Sequence, residues 1–308
     1  MKSTVALAGG VGAAKFLRGL VRITSPQELL IVCNTGDDLD LHGLHISPDL
    51  DTVMYTLAGL VDESKGWGIK NDTYNTLNMF GRLGFETWFR LGDIDLATHI
   101  IRTKLIKDGM TLSETTAKLC RMFSVKNALT PMTNQTVRTK ITSDSQTIDF
   151  QEYFVKNQAK DKVTNVVYEG AAKAEPAPGI IKALNQAERI IICPSNPVLS
   201  IAPILSIPKI RQAIQAAKAQ TIAISPIIAG KTIRGPADRI LASMGYEPSA
   251  TGVAEYYRGI VGRLIIDQAD AAQETKIRIL GQKVTVADTL MKNLGDSINL
   301  AQVAMKTE

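Results

Sequence analysis

Eight acidic side chains crowd residues 23–64: Glu28, Asp37, Asp38, Asp40, Asp49, Asp51, Asp62 and Glu63, with no Lys or Arg among them. Asp37, Asp38, Asp49 and Asp51 are hard oxygen donors of the kind Mg²⁺ prefers, an ion that takes one or two carboxylates and completes its shell with phosphate and water. The competing use is structural, because loop aspartates hydrate turns and Asp49, just after Pro48, can cap a helix. The block carries −8, which leaves +13 on the other 266 residues of a 308-residue chain of net charge +5. Mutual repulsion on that scale calls for a metal, or for Arg and Lys brought in from elsewhere.

A second candidate is Gly9-Gly10-Val11-Gly12-Ala13-Ala14-Lys15. Gly10 and Gly12 permit a tight turn and close backbone approach to a phosphate, a helix N-terminus behind them offers unpaired N–H groups, and Lys15 adds a point charge. A plain structural turn is the alternative. The run is no dinucleotide fingerprint, since Lys15 stands where the third Gly or Ala belongs, and no Gly-Lys-Ser/Thr completes a P-loop. In Pro194-Ser195-Asn196-Pro197 two prolines restrict the backbone around a hydroxyl and an amide, which suits either a base, phosphate or carboxylate ligand or a rigid turn. Trp67, between Gly66 and Gly68, suits stacking on a planar ring or a place in the core. Arg90, after Trp88-Phe89, reads by itself as a solvated surface charge. Asp93 and Asp95 have the Asp-x-Asp spacing of some metal-nucleotide sites, although helix capping explains at least one of them more simply. His42, His45 and His99 lack a Zn-like Cys/His set, and His99 lies in an amphipathic run where packing is the plain reading. No Ser-His-Asp or Cys-His nucleophile set is evident.

The elements that must position these residues alternate between strand and helix. Thr4 to Ala8 and Leu29 to Cys33 read as short buried strands, the first running into the glycine loop and the second into Asn34-Thr35-Gly36-Asp37-Asp38. Both polar clusters therefore sit at carboxyl ends of strands, where open parallel α/β sheets place their ligands. Arg189 to Cys193, Thr221 to Ile224 and Leu264 to Asp267 read as further strands. Helices are predicted from Pro48 to Leu60, from near Asn71 toward Leu83, from Gly92-Asp93 up to Gly109, from Ser113 toward Phe123, from about Pro236, and from about Val286 to Met305. Residues 130–175 alternate in strand fashion at Val137 to Ile141 and Thr147 to Phe150. The fold class is α/β: one domain over residues 1–308, with a Rossmann-like parallel-sheet core, helices on both faces, and a small β-rich and helical insertion around 130–175.

Composition narrows the function classes. With 45% hydrophobic and 21% charged residues the chain is neither disordered nor fibrous. Three widely spaced cysteines, Cys33, Cys120 and Cys193, argue against a disulfide framework and for a reducing compartment. The N-terminal apolar run is too short for a signal peptide, and the uncharged stretch Ile190 to Pro208 carries four prolines, so the expectation is a cytoplasmic protein with no membrane partner. The net charge of +5 comes without a basic run or a base-stacking aromatic series, which argues against nucleic acid.

Taken in order, these segments resemble the 2-phospho-L-lactate transferase family of deazaflavin coenzyme F-420 biosynthesis. The resemblance rests on Gly9 to Lys15, Asn34 to Asp38, Ile46 to Thr52 with Tyr55, Gly66-Trp67-Gly68, Leu91-Gly92-Asp93 with Asp95, Ala97-Thr98-His99 and Arg102. It continues through Pro194 to Pro197, Ser225 to Ile228, Gly235-Pro236-Ala237 and Gly252 to Tyr257, and so spans nearly the whole chain. It implies that the terminal ribityl hydroxyl of 7,8-didemethyl-8-hydroxy-5-deazariboflavin attacks the phosphorus next to a small organic acid in a guanosine diphosphate adduct. A phosphodiester forms and GMP leaves, with Mg²⁺ as cofactor.

By motif position, the resemblance implies Asp51 as the catalytic residue, with Asp51, Arg90 and Trp67 on the deazaflavin. It implies Gly10, Gly12, Lys15, Asn34, Ser195 and Asn196 on the nucleotide, and Asp38, Asp49 and Asp51 as the metal set. Orienting the attacking hydroxyl, deprotonating it and holding the metal all remain open for Asp51. Lactyl, phosphoenolpyruvyl and phosphoglyceryl donors all suit the family, and a homodimer is the expectation for a soluble enzyme. Residue chemistry agrees, since phosphoryl transfer needs positioning and charge neutralisation more than a protein nucleophile. The alternative is a non-catalytic nucleotide-sugar-binding regulator that shares the glycine-rich strand-loop-helix. Against it stand the aspartate cluster and the Gly66-Trp67-Gly68 segment. A nicotinamide oxidoreductase is disfavoured by the missing third glycine.

Overall fold

A computed structural model of the chain describes residues 3–143, 146–233 and 235–306. Its centre is a parallel sheet of Thr4–Ala8 (β1), Leu29–Cys33 (β2), Ala128–Pro131 (β3), Arg189–Ile192 (β4), Thr221–Ile224 (β5), Arg263–Asp267 (β6) and Lys283–Ala287 (β7). Across the sheet the order is β7-β6-β5-β4-β1-β2-β3, and every neighbouring pair is parallel. Strands covered on both faces can be apolar at every position, which is why Thr4–Ala8 is buried throughout and Ile190, Ile191 and Ile192 run consecutively. Alternate residues feed two cores: Val5, Leu7, Ile190 and Ile192 on one face, Ala6, Ala8, Ile191 and Ile31 on the other.

From β1 the chain winds outward through β2 and β3, then crosses back to β4 and winds the other way. The order therefore reverses between β1 and β4, and the carboxyl ends of those two strands border a crevice that the sheet leaves uncovered.

Helix Gly10–Ile23 (α1) buries Ala13, Ala14, Phe16, Leu17 and Leu20 at helical spacing against the second core. Beside it lie Pro48–Leu57 (α2) and the C-terminal helix Leu294–Met305. The contact with the C-terminal helix is backbone-close: a Cβ on Gly19 would lie 2.2 Å from the Ser297 carbonyl. Helices Asn75–Arg82 (α3), Asp93–Lys107 (α4) and Leu112–Met122 (α5) fill the connection to β3, and α5 opens on a capping box formed by Thr111 and Glu114.

Two aspartates tie α3 to α4. The Asp72 carboxylate accepts from the N–H groups of Ile94 and Asp95 in the first turn of α4, and Asp93 accepts from Asn75 and Thr76 in the first turn of α3. Asp93 is therefore a cap, but of the neighbouring helix.

Between β3 and β4, Arg138–Ser143, Gln146–Asp149 and Val163–Glu169 form a separate antiparallel sheet, with a π-helical turn at Glu152–Lys156. The helix expected from about Val286 begins only at Leu294. Val286 lies in β7, where the Val284-Thr285-Val286 run pairs with β6, and Asn293 with Asp296 forms the capping box that starts the helix. The helix expected to reach Leu60 ends at Leu57, and the one expected from Asn71 starts at Asn75. Among the described residues no helix is long and apolar enough to cross a membrane. All three cysteines are buried and free.

Gly19→Ala should destabilise the protein by about 1–3 kcal/mol, because two helix backbones must separate to admit the methyl group. Denaturant titration gives that difference directly, and an unchanged midpoint would show that the helices slide apart at no cost.

Candidate active site

At the carboxyl ends of β1 and β4 lies a cavity of about 600 Å³. The chain leaves β1 through Gly9 and enters α1 at Gly10, whose φ of +71° is a left-handed conformation that favours glycine. At Gly12 a Cβ would sit 2.1 Å from the Pro194 carbonyl oxygen, so its missing side chain lets the β1 and β4 loops touch. Ser195 Oγ strengthens that seam by donating to the Gly9 carbonyl at 2.7 Å, and Asn196 Oδ1 accepts from the N–H groups of Val198 and Leu199. Gly10, Gly12, Lys15, Ser195 and Asn196 all line the cavity. Asn34 does not; it stands behind the cavity wall and donates to Asp49 Oδ2 at 2.9 Å.

The four aspartates of the acidic block part company. Asp49, in the first turn of α2, lines the cavity and accepts from Gly10 N–H at 2.8 Å, so a carboxylate already engages the α1 N-terminus. Burial pushes Asp49 up to about 6, against the Asn34 and Gly10 hydrogen bonds that favour its anion. Asp37 also lines the cavity; burial and then the nearby Asp49 push it well above the usual carboxylate range, and its Oδ1 has no hydrogen-bond partner. Asp38 opens instead into a second cavity of about 210 Å³ with His45 and Arg138, and its Oδ2 accepts from Ser47 Oγ at 2.8 Å. Asp51 borders the main cavity but is gripped from behind by Arg102, whose Nη1 donates to Oδ2 at 3.0 Å and whose Nη2 donates to Oδ1. Burial raises the Asp51 carboxyl, and the Arg102 guanidinium opposes that rise.

The sequence-level set Asp38, Asp49 and Asp51 is thus not assembled in one place. Among the described residues, no group of three or more His, Cys, Asp or Glu side chains is arranged to hold a metal by itself. Asp37 and Asp49 do fit a hard cation that brings its other ligands as phosphate or water. Both face the cavity, one oxygen lacks a partner, and burial disfavours both anions until a positive charge arrives. Other charges of the block find partners from outside it, as Glu63 does in Arg18, Asp40 in Arg138 and Asp62 in Lys65.

The cavity wall is also aromatic: Tyr55, Trp67, Trp88, Phe89, Phe150 and Phe154 line it, with Phe150 and Phe154 stacked at 5.3 Å and 19°. Arg90 is exposed, as a surface charge would be, and also lines the cavity, its guanidinium 4.5 Å from the centre of the Tyr74 ring. Asp37 stood in view within the acidic block, but nothing in the sequence set it apart from Asp38. The i, i+4 pair Phe150 and Phe154 falls in the insertion, where strand alternation masked it. Arg102 stood out only as a member of the resemblance.

A sequence profile described as 2-phospho-L-lactate transferase CofD matches residues 4–301. A phosphoenolpyruvate transferase of Streptomyces coelicolor is 40% identical over 307 residues, covering 98% of this chain and 96% of its own. A 2-phospho-L-lactate transferase of Methanosarcina mazei is 38% identical over 302 residues, covering 98% and 99%. Among solved structures, a member of the UPF0052 family from Bacillus halodurans superposes with a TM-score of 0.66 at 17% identity, over 99% of this chain and 100% of that one, a likeness of fold alone.

Gly12→Ala should lower the melting temperature by several degrees, since the new methyl group meets a carbonyl that cannot rotate away. A scanning-calorimetry trace matching the wild type would mean that the loops do not touch in solution. A glycine seam that joins two loops at the switch point, buried carboxylates and aromatic rings lining one cavity there, and a profile match from end to end lead to one assignment: the chain belongs to the 2-phospho-L-lactate transferase CofD family.

Proposed function

We propose that this transferase moves a phospho-organic acid from a guanosine diphosphate adduct to the ribityl hydroxyl of 7,8-didemethyl-8-hydroxy-5-deazariboflavin, releasing GMP. The observation that carries the reading is the mixed lining of the cavity. It combines the α1 N-terminus, Lys15, Asp37 and Asp49 with Trp67, Trp88, Phe89 and Arg90. A polyanionic donor suits the first set, and a planar tricyclic acceptor suits the second.

Asp51 presents its carboxylate to the cavity, where it orients the attacking hydroxyl and accepts its proton as the new bond to phosphorus forms. Lys15 and the helix N-terminus face the phosphates of the departing nucleotide. Asp37 and Asp49 would hold Mg²⁺, which when bound neutralises charge on the phosphoryl oxygens. Relatives of similar identity carry both the phosphoenolpyruvate and the 2-phospho-L-lactate names, so the donor acid is a matter for experiment.

Incubation of the protein with the deazaflavin, Mg²⁺ and each of the lactyl, phosphoenolpyruvyl and phosphoglyceryl guanylylated donors should yield one phosphodiester and an equivalent of GMP by mass spectrometry. No product with any of the three would overturn the proposal. Arg90→Ala should weaken deazaflavin binding about tenfold, a loss of ~1.4 kcal/mol, in a fluorescence titration; an unchanged dissociation constant removes Arg90 from the acceptor site.

Cation binding should depend on pH with a defined sign. Because burial holds the Asp49 proton up to about pH 6, the carboxylate is available above that pH and is lost as pH falls through it. Calorimetric Mg²⁺ titrations should therefore weaken steadily from pH 7 to pH 5. Constant affinity across that range would rule out Asp49 as a ligand.

A further inference from the structure

Behind Asp51 lies a chain of polar side chains that neither the donor nor the acceptor reading uses. Asp95, His99 and Arg102 fall at i, i+4 and i+7 of α4 and form one buried polar stripe facing α2. Arg102 is 1% exposed and sends Nη1 both to Asp51 Oδ2 at 3.0 Å and to His99 Nδ1 at 3.2 Å. On its other side His99 Nε2 approaches Asp95 Oδ1 to 3.3 Å, outside hydrogen-bond geometry, and that same oxygen accepts from the Tyr55 hydroxyl at 2.7 Å. The Asp95 backbone is fixed in turn by Asp72 Oδ2, which accepts its N–H at 3.0 Å.

We propose that Arg102 and His99 are positioning residues that aim the Asp51 carboxylate into the cavity, with Asp95 and Tyr55 holding His99 in place. The inference rests on the reading of Asp51 as the group that meets the acceptor hydroxyl.

Three features separate this arrangement from a stabilising ion pair. A buried pair is a poor source of stability compared with apolar packing, so a fully buried Arg at this position needs another reason to be there. Four members of the chain, Asp51, Tyr55, Asp95 and His99, line the cavity, so the network borders the site instead of lying deep in the core. The two-point grip fixes the plane of the Asp51 carboxylate and occupies one lone pair on each oxygen, leaving the others for the cavity.

The direction of the chain also follows. Arg can only donate, so His99 Nδ1 must be its acceptor and carry no hydrogen. The imidazole hydrogen then sits on Nε2, facing Asp95. That assignment places no N–H against the guanidinium and lets His99 brace Arg102 at Nη1, the nitrogen that also donates to Asp51 Oδ2.

The test compares His99→Leu, His99→Asn and Arg102→Lys, using the deazaflavin and the productive guanylylated donor. His99→Leu should lower kcat tenfold or more while the acceptor KM stays within about twofold, because aim is lost and ring binding is not. His99→Asn, whose amide oxygen can replace Nδ1 as acceptor, should recover most of that loss. Arg102→Lys keeps the charge without the two-point grip and should fall between them. In an Asp51→Asn background, His99→Leu should change kcat no further.

A merely structural role predicts that Leu and Asn lower the melting temperature and the active fraction in parallel, with kcat per folded site unchanged. That result, or equal losses in Leu and Asn, overturns the inference. Wild-type turnover in Asp51→Asn would sink the reading of Asp51 itself, whereas a dead Asp51→Asn beside a fully active His99→Leu sinks only the positioning role. Independently of turnover, the chain has three histidines, so nitrogen-15 spectra can be assigned by substitution. His99 should show the Nε2–H tautomer, and an Nδ1–H signal would overturn the chain as drawn.

Discussion

A carboxylate taken out of water is tolerated only where hydrogen bonds or a positive charge replace the solvent, and this fold buries four of them around one strand end. Much of the local architecture answers that demand. Asp49 is met by the first N–H of α1 and by Asn34, Asp38 by Ser47 and His45, and Asp51 by a guanidinium carried in on α4. Asp37 is the least provided for, and it stands beside Asp49 on the cavity wall. The α4 helix can deliver Arg102 because its own start is held by Asp72, while Asp93 returns the same service to α3. Loss of any one partner would leave a buried charge exposed to the low dielectric, which is why the site is built as a connected set.

The second constraint is the reversal of strand order between β1 and β4. It leaves one place on the sheet edge uncovered, and both glycine-containing and proline-containing loops converge there. Gly12 shows how a distant residue sets a local choice. It lies within helix α1, and its need for glycine comes from the Pro194 carbonyl, 182 positions away in the chain. The insertion adds the stacked Phe150 and Phe154 to the aromatic wall and fastens its π-helical turn to the α3–α4 connection through Lys156 and Glu86. The cavity is therefore closed by segments drawn from most of the chain.

Five of the seven sheet strands were legible because buried parallel strands leave continuous apolar runs, and the helices of the first half because their caps and periodicity are local. Ala128–Pro131 does not read as a strand, and Val286, inside Lys283–Ala287, reads as the start of the last helix, because a short apolar run carries too little periodicity to separate the two. At the site, the glycine loop, Ser195, Asn196, Trp67 and Arg90 were all identified as candidates, and they do border one cavity. The acidic block was equally plain. Its division was not, since Asp37 and Asp38 are adjacent in sequence yet open into different cavities.

By itself, then, the sequence determined the α/β alternation, the placing of polar clusters at strand ends and the family, because these depend on local composition and on ordered motifs. Tertiary structure alone decided which carboxylate faces which partner. Arg102 reaches Asp51 across 51 positions, and Gly10 reaches Asp49 across 39. The state of a buried charge is set by whatever surrounds it in space. No local pattern encodes that, so the roles of Asp37, Asp38, Asp49 and Asp51 became distinct only when the sheet edge and α4 were brought together.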